Sequence, residues 1–376
     1  MSRSSLRNRP LAITDYGQDI ALLNTPAKRR STILLIILSF TLPFLFTDDL
    51  LLILTLGMVS SVGAIGLNLV SGYAGQVSLG HSFFIGIGAY TGAIFGGDPD
   101  GPVLGLGMPM YVWLPMAGIV AALVGLLVGP IAMRLRGLYL AIVTLGLVFL
   151  GEHIWREWRS VSGGPGVGRR GPDMEILGFD FSTGGSLFGL ELGRAQAQFM
   201  LALVFLVIFA ILGRNIARSG IGRAFSAIRD RDVAAEIIGI NLVKYKTMAF
   251  AMSSFFAGVT GALYFGIVGV FEPAAFGLLL SIQYIAMILI GGVATISGSI
   301  MGAMFIAMLG RISGELAHFI PGISESSGGG GLLSVFQLEA ILYGLLVIVF
   351  LVFEPRGLFG IWLRIRNYWK GWPFSY

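Results

Sequence analysis

Between Asp49 and Asp98 the chain runs for 48 residues without an Asp, Glu, Lys or Arg. A helix needs about 20 apolar residues, at about 1.5 Å each, to cross about 30 Å of hydrocarbon. That one interval therefore holds two membrane crossings with a turn between them. Charged residues make up 12% of the 376 and hydrophobic residues 55%, against roughly 25% charged in soluble domains. No compact soluble fold hides that much apolar surface behind so few charges. The +5 balance comes from scarce acids rather than a dense basic face, which excludes a nucleic-acid binder.

There is no cysteine, hence no disulfide framework, thiolate metal site, cysteine nucleophile or acylated thiol. Residues 1–30 are polar, carry Arg3, Arg7, Arg9, Lys28, Arg29 and Arg30, and hold no apolar core of signal-peptide type. They read as a cytoplasmic tail.

Charge-free intervals place the remaining spans. The first covers 31–47, two follow within 49–98, and others cover 111–133, 137–151, 198–213, 247–270 and 337–353. The uncharged run 273–310 is overlong for one helix, and its central Gly291-Gly292 and Ser297-Gly298-Ser299 favour a broken hairpin of two short helices. This makes an all-α polytopic membrane protein of about ten transmembrane helices, some broken or short. An even number puts both termini on one side. Nineteen of the 25 Lys and Arg then fall on that side and six on the other, so the N and C termini are cytoplasmic. The expected organisation is a tail (1–30), a transmembrane domain (31–353) and a second tail (354–376). Within the domain, 152–197 forms an extracytoplasmic loop and 214–246 a cytoplasmic one.

Little in the chain can do chemistry. Glu339 is the one acid inside any span drawn above, which argues against a proton-coupled carrier or a charged channel ring. The four lysines are Lys28, Lys244, Lys246 and Lys370; none follows a glycine, so there is no Walker A motif and no ATPase of its own. His81, His153 and His318 lie on separate segments, which gives neither a metal site nor a catalytic dyad. The chain is expected to be no enzyme and to hold no cofactor.

Two regions rise above this background. The first, 66–86, is too polar to face lipid and too rich in glycine for a continuous helix. Such backbone is tolerated only against protein or along a water-filled path. Asn68, Gln76, Ser78, His81 and Ser82 are its candidate path residues, the last three at i, i+3 and i+4 on one helical face. A knot of satisfied polar groups that packs helices together is the other reading. The second region, 222–241, sets Asp232 as a helix N-cap and Gly239 at C′ around about two turns. So short a helix is marginal in water unless it docks. Val233, Ile237 and Ile238 with their basic flanks fit either a partner protein or a membrane surface.

These regions resemble the LivM-type permeases of ATP-binding-cassette importers for branched-chain amino acids. Residues 66–90 are similar to that family's GLNL-x-x-GYAGQ-x-SLGH-x-x-F-x-GIGAY signature, and 222–241 to its coupling segment. Further similarity runs through 246–264, 291–302 and Glu354-Pro355-Arg356-Gly357-Leu358, so the resemblance spans about 50–360. It implies a plasma-membrane subunit paired with a homologous LivH-type permease, two cytoplasmic ATPase subunits and an extracytoplasmic solute-binding protein. ATP and Mg would then sit on the partner subunits. Ala234, Ala235, Glu236 and Gly239 would seat the ATPase, with Arg223 and Arg229 as polar contacts. The stretch 162–167 departs from the family's pattern by Pro165. Relatives also carry urea, short amides and aromatic or other carboxylates; Gly75-Gln76-Val77, where urea-type subunits have GLL, favours amino acids. A self-sufficient facilitator or a sodium-coupled carrier is the competing class.

Overall fold

The computed structural model describes residues 26–135, 137–164, 166–187, 189–319, 323–324 and 333–371. The tail up to residue 25, Arg136, Pro165 and the side chains of Lys28, Arg29, Arg134, His318, Glu339 and Lys370 lie outside the described residues. The chain divides into Met1–Leu45 and Phe46–Tyr376. The first unit holds α1 (Pro26–Ser39) and a 3-10 turn at Leu42–Phe44.

In the second unit α2 (Asp48–Leu67) runs into a π-helical turn at Asn68–Tyr73. There follow α3 (His81–Gly96), α4 (Met110–Arg134), α5 (Leu138–Glu157) and α6 (Arg194–Arg218). Two short surface helices, α7 (Gly220–Asp230) and α8 (Asp232–Ile237), lead into α9 (Leu242–Val268). The chain closes with α10 (Leu278–Gly291), α11 (Ile296–Phe319), α12 (Val335–Phe353) and α13 (Gly357–Gly371). Among the described residues six helices are long and apolar enough to cross a membrane, and α12 with α13 makes a seventh candidate bent by 45°. With the shorter apolar helices at 32–44, 81–96 and 278–291 the architecture is that of an all-α multi-pass membrane protein.

The uncharged run at 273–310 is a hairpin, as its glycines require. Chain direction reverses over residues 292–295, and α10 and α11 touch backbone to backbone. A Cβ on Gly302 would collide with the Met287 carbonyl, and one on Gly291 with the Gly298 carbonyl. Small residues also let α3 cross α9, where Gly88 lies on the backbone of Gly258. Without a hydrophobic force between helices in lipid, such close packing is what holds a bundle.

Contacts sort the connections into two ends. At one end lie the 68–80 segment, the Gly137 turn, α7, α8, the 292–295 turn and Arg356. This is the end richer in Lys and Arg. At the other, residues 97–109 and the start of α4 meet residues 160–173 through Leu104 N–H to Ser160 O and Trp113 Nε1–H to Asp173 O. Strand β1 (Arg169–Arg170) pairs there with Val270–Phe271.

Arg169 fastens that second end. Its side chain is 2% exposed and donates to the carbonyls of Val161, Ala93 and Leu104. Burial draws its guanidinium down to about 10, because the charged form loses water. A ring cluster of Tyr90, Trp155, Phe265, Phe271 and Phe276 packs nearby.

Candidate functional site

The broken segment between α2 and α3 is held by its own polar groups. Asn68 is fully buried. Its Nδ2 donates to Thr295 O at 3.0 Å and to Ser299 Oγ at 2.7 Å, while Oδ1 accepts from Ala294 N at 2.9 Å. One amide therefore clasps the turn of the α10–α11 hairpin. Gly72, one helical turn on, is the only residue type that fits, since a Cβ there would fall on Asn68 Oδ1.

From Ala74 to Gly80 the backbone is not helical. Gln76 accepts at its carbonyl from Ser71 Oγ and donates from Nε2 to Ala74 O. Ser78 Oγ accepts from Gly80 N. Leu79 N donates to Thr144 Oγ1 on α5 at 2.9 Å. Because α3 begins only at His81, Ser78 does not share a helical face with His81 and Ser82, contrary to the spacing argument. The polar crowding of 71–80 satisfies itself as a loop instead.

His81 and Ser82 face α10. The His81 ring lies 5.0 Å from that of Tyr284 and hydrogen-bonds to the Gly63 backbone. Its Nε2 has no partner among the described residues. Ser281 Oγ donates to Ser82 Oγ at 2.8 Å and accepts from Ser82 N at 3.1 Å. Thus Asn68, His81 and Ser82 converge on α10 and the hairpin turn. Gln76 does not reach α10 or that turn; it lines a cavity at the basic end with Arg229, Asp232 and Lys246.

A second cavity, of about 280 Å³, opens between α2, α9, α10, α11 and α12. It is bounded by Ser60, Gln283 and Tyr284 among apolar walls that include Leu56, Leu280 and Ile306. None of the five candidate path residues lines it. The signal for it in the sequence is slight: Ser60 in mid-α2 and Gln283 in α10 each interrupt an apolar run.

The short helices at the basic end are capped as their sequence dictates. Ser219 Oγ accepts from Ile221 N to start α7, and Asn241 Oδ1 accepts from Lys244 N to start α9. Gly239 follows α8 with φ +87°, a left-handed cap that glycine takes without strain. Arg231, rather than Asp232, occupies the N-cap, and Asp232 is the first helical residue. Asp232 lies 3.8 Å from Lys246, whose side chain is buried. Val233, Ile237 and Ile238 are 57%, 82% and 73% exposed, an apolar strip that none of the described residues covers. Ala234 and Glu236 are exposed on the same short helix, whereas Ala235 is buried. Arg223 donates to Arg218 O, and Arg229 to Gly72 O at 3.3 Å. The two arginines thus differ, with Arg229 tying α7 to the end of the π-helical turn.

Residues 50–364 match the family model described as "Branched-chain amino acid transport system / permease component". The chain is 28% identical over 347 residues to the high-affinity branched-chain amino acid transport system permease protein LivM of Escherichia coli K12, covering 89% of this chain and 76% of that one. To the ribose import permease protein RbsC of Haemophilus influenzae it is 25% identical, covering 74% and 81%. To the autoinducer 2 import system permease protein LsrC of Escherichia coli O157:H7 it is 25% identical, covering 90% of each. No solved structure matches the chain. With 315 of its residues inside the family match and its apolar helices arranged as a bundle, the chain belongs to the permease components of branched-chain amino acid transport systems, as a LivM-type multi-pass subunit of an ABC importer in the bacterial plasma membrane.

Proposed function

We propose that this chain carries branched-chain or related amino acids across the membrane, delivered by an extracytoplasmic solute-binding protein and driven by ATPases on the cytoplasmic side. The basic end of the bundle is then the cytoplasmic end, with both termini on that side. A homologous LivH-type permease completes the pore, and two ATPase subunits hold the ATP and Mg. The observation that carries this reading is the apolar strip on α8, set at the basic end of a chain with no nucleotide motif. So short a helix with three exposed aliphatic side chains is stable only when something covers it.

In this reading Ala234, Glu236 and Gly239 meet the ATPase, with Arg223 beside them. Ala235 and Arg229 hold the helices onto the permease. Asn68, His81 and Ser82 shape the pathway by fixing the walls that α10 and the hairpin present to it, and Gln76 and Ser78 shape it by holding the loop that leads into α3. The 28% identity to a branched-chain amino acid permease supports the solute class. The 25% identities to ribose and autoinducer-2 permeases favour a sugar-like solute as the second reading.

Co-purification tests the assignment. Glu236→Arg or Gly239→Trp is expected to abolish ATPase association while the permease still inserts in the membrane. Gly239→Trp acts by strain and bulk, because the site has positive φ and open space around it. Unchanged association in both variants, or solute transport by this chain alone in liposomes, would overturn the reading.

A further inference from the structure

The cavity between α2, α10 and α11 carries an assignment of its own. It lies on the half of the bundle away from the basic end: Leu56 precedes Ser60 on α2 and Leu280 opens α10. Toward the basic end it is shut. There Tyr284 packs on Gly63 so closely that a Cβ would stand 2.7 Å from its ring, and His81 backs the same ring. Ser60 and Tyr284 lie side by side in its wall. Among the described residues no Asp, Glu, Lys, Arg or His lines the space.

Three properties of a ligand follow. At about 280 Å³ the cavity lies just below the usual range of ligand sites, about 300–1,000 Å³. A nucleotide or a disaccharide does not fit. With no cationic or anionic side chain it offers nothing to balance a phosphate or a second carboxylate. Its apolar walls, which include Leu56, Leu280 and Ile306, together with the polar atoms of Ser60, Gln283 and three tyrosines, match a solute with one compact apolar group and one polar end. A sugar, polar all round, would leave hydroxyls facing Leu56, Leu280 and Ile306, each unpaired hydroxyl at a cost.

We infer that this cavity is where the permease receives its solute from the outer side, seating the apolar side chain of a single neutral amino acid against Leu280 and Ile306, with its polar end toward Ser60 and Gln283. The assignment rests on the amino-acid reading above and deepens it by naming a site.

The test uses the complete importer with its partner subunits in proteoliposomes, supplied with radiolabelled leucine or phenylalanine. Leu280→Trp fills the cavity and is expected to lower leucine uptake about tenfold or more, a typical penalty for misfit in an apolar pocket. Leu279→Trp places the same bulk on the neighbouring exposed position and is expected to leave uptake near that of the parent. ATPase association should be unchanged in both. Ile306→Ala enlarges the cavity and is expected to raise the phenylalanine-to-leucine uptake ratio about tenfold. If the parent importer moves leucine but Leu280→Trp behaves like Leu279→Trp and Ile306→Ala leaves the ratio unchanged, the cavity assignment is wrong while the amino-acid reading stands. If the parent moves neither amino acid, the amino-acid reading falls and this assignment falls with it.

Discussion

The two polar regions of the membrane domain differ in what their polar groups are doing. In the broken segment 68–82 they are numerous and directed inward: Asn68 makes three hydrogen bonds to the hairpin turn, and Ser82 exchanges two with Ser281. In the cavity Ser60, Gln283 and three tyrosines border open space among apolar walls. A buried polar group that is fully satisfied specifies a geometry. One that borders a space is available to a ligand. Polar groups that satisfy one another therefore mark the frame of this permease, and polar groups that border a space mark the place proposed for its solute.

Breaking the frame has the larger effect on stability. Asn68→Ala removes three hydrogen bonds and strands Ala294 N–H, while the Thr295 carbonyl keeps Ser299 as a donor, at a cost of about 3 kcal/mol. The thermal midpoint of the purified permease should fall clearly. Whatever importer still assembles should keep its leucine-to-phenylalanine preference. A changed preference would place Asn68 against the solute. A smaller effect is expected at the serine pair. Ser281→Ala removes the acceptor of Ser82 N–H and the donor to Ser82 Oγ, a loss of about 1–2 kcal/mol. The midpoint should therefore fall less than in Asn68→Ala. An equal or larger fall would mean that the α3–α10 contact, rather than the clasp on the hairpin turn, dominates the frame.

Much of this was legible in the sequence because the bilayer allows few solutions. The charge-free intervals located the apolar helices, and the glycines of 291–298 located the hairpin. Their limits were not legible. Helix α5 runs on to Glu157 and α6 starts at Arg194, because charged residues in a terminal turn reach water while the backbone stays helical. Lys246 likewise lies inside α9, buried beside Asp232. Gly239 announced the end of α8, since only a left-handed position rewards glycine there. The loop character of Ser78 was hidden, because helical spacing does not show where a helix begins. The cavity was hidden more thoroughly. Ser60, Gln283 and Tyr284 come from two distant stretches, and only the packing of α2 against α10 brings them to one space.

The absence of cysteine from the whole chain allows the contrast to be tested in a single measurement. In the complete importer, Ser60→Cys and Ser78→Cys variants are treated with a small thiol-reactive reagent, with and without saturating leucine and the binding protein. Modification of this chain is then read by mass. The account predicts that leucine slows modification in Ser60→Cys and leaves the Ser78→Cys rate unchanged. Protection in Ser78→Cys with none in Ser60→Cys would contradict it, placing the solute in the broken segment and leaving the cavity as unfilled packing.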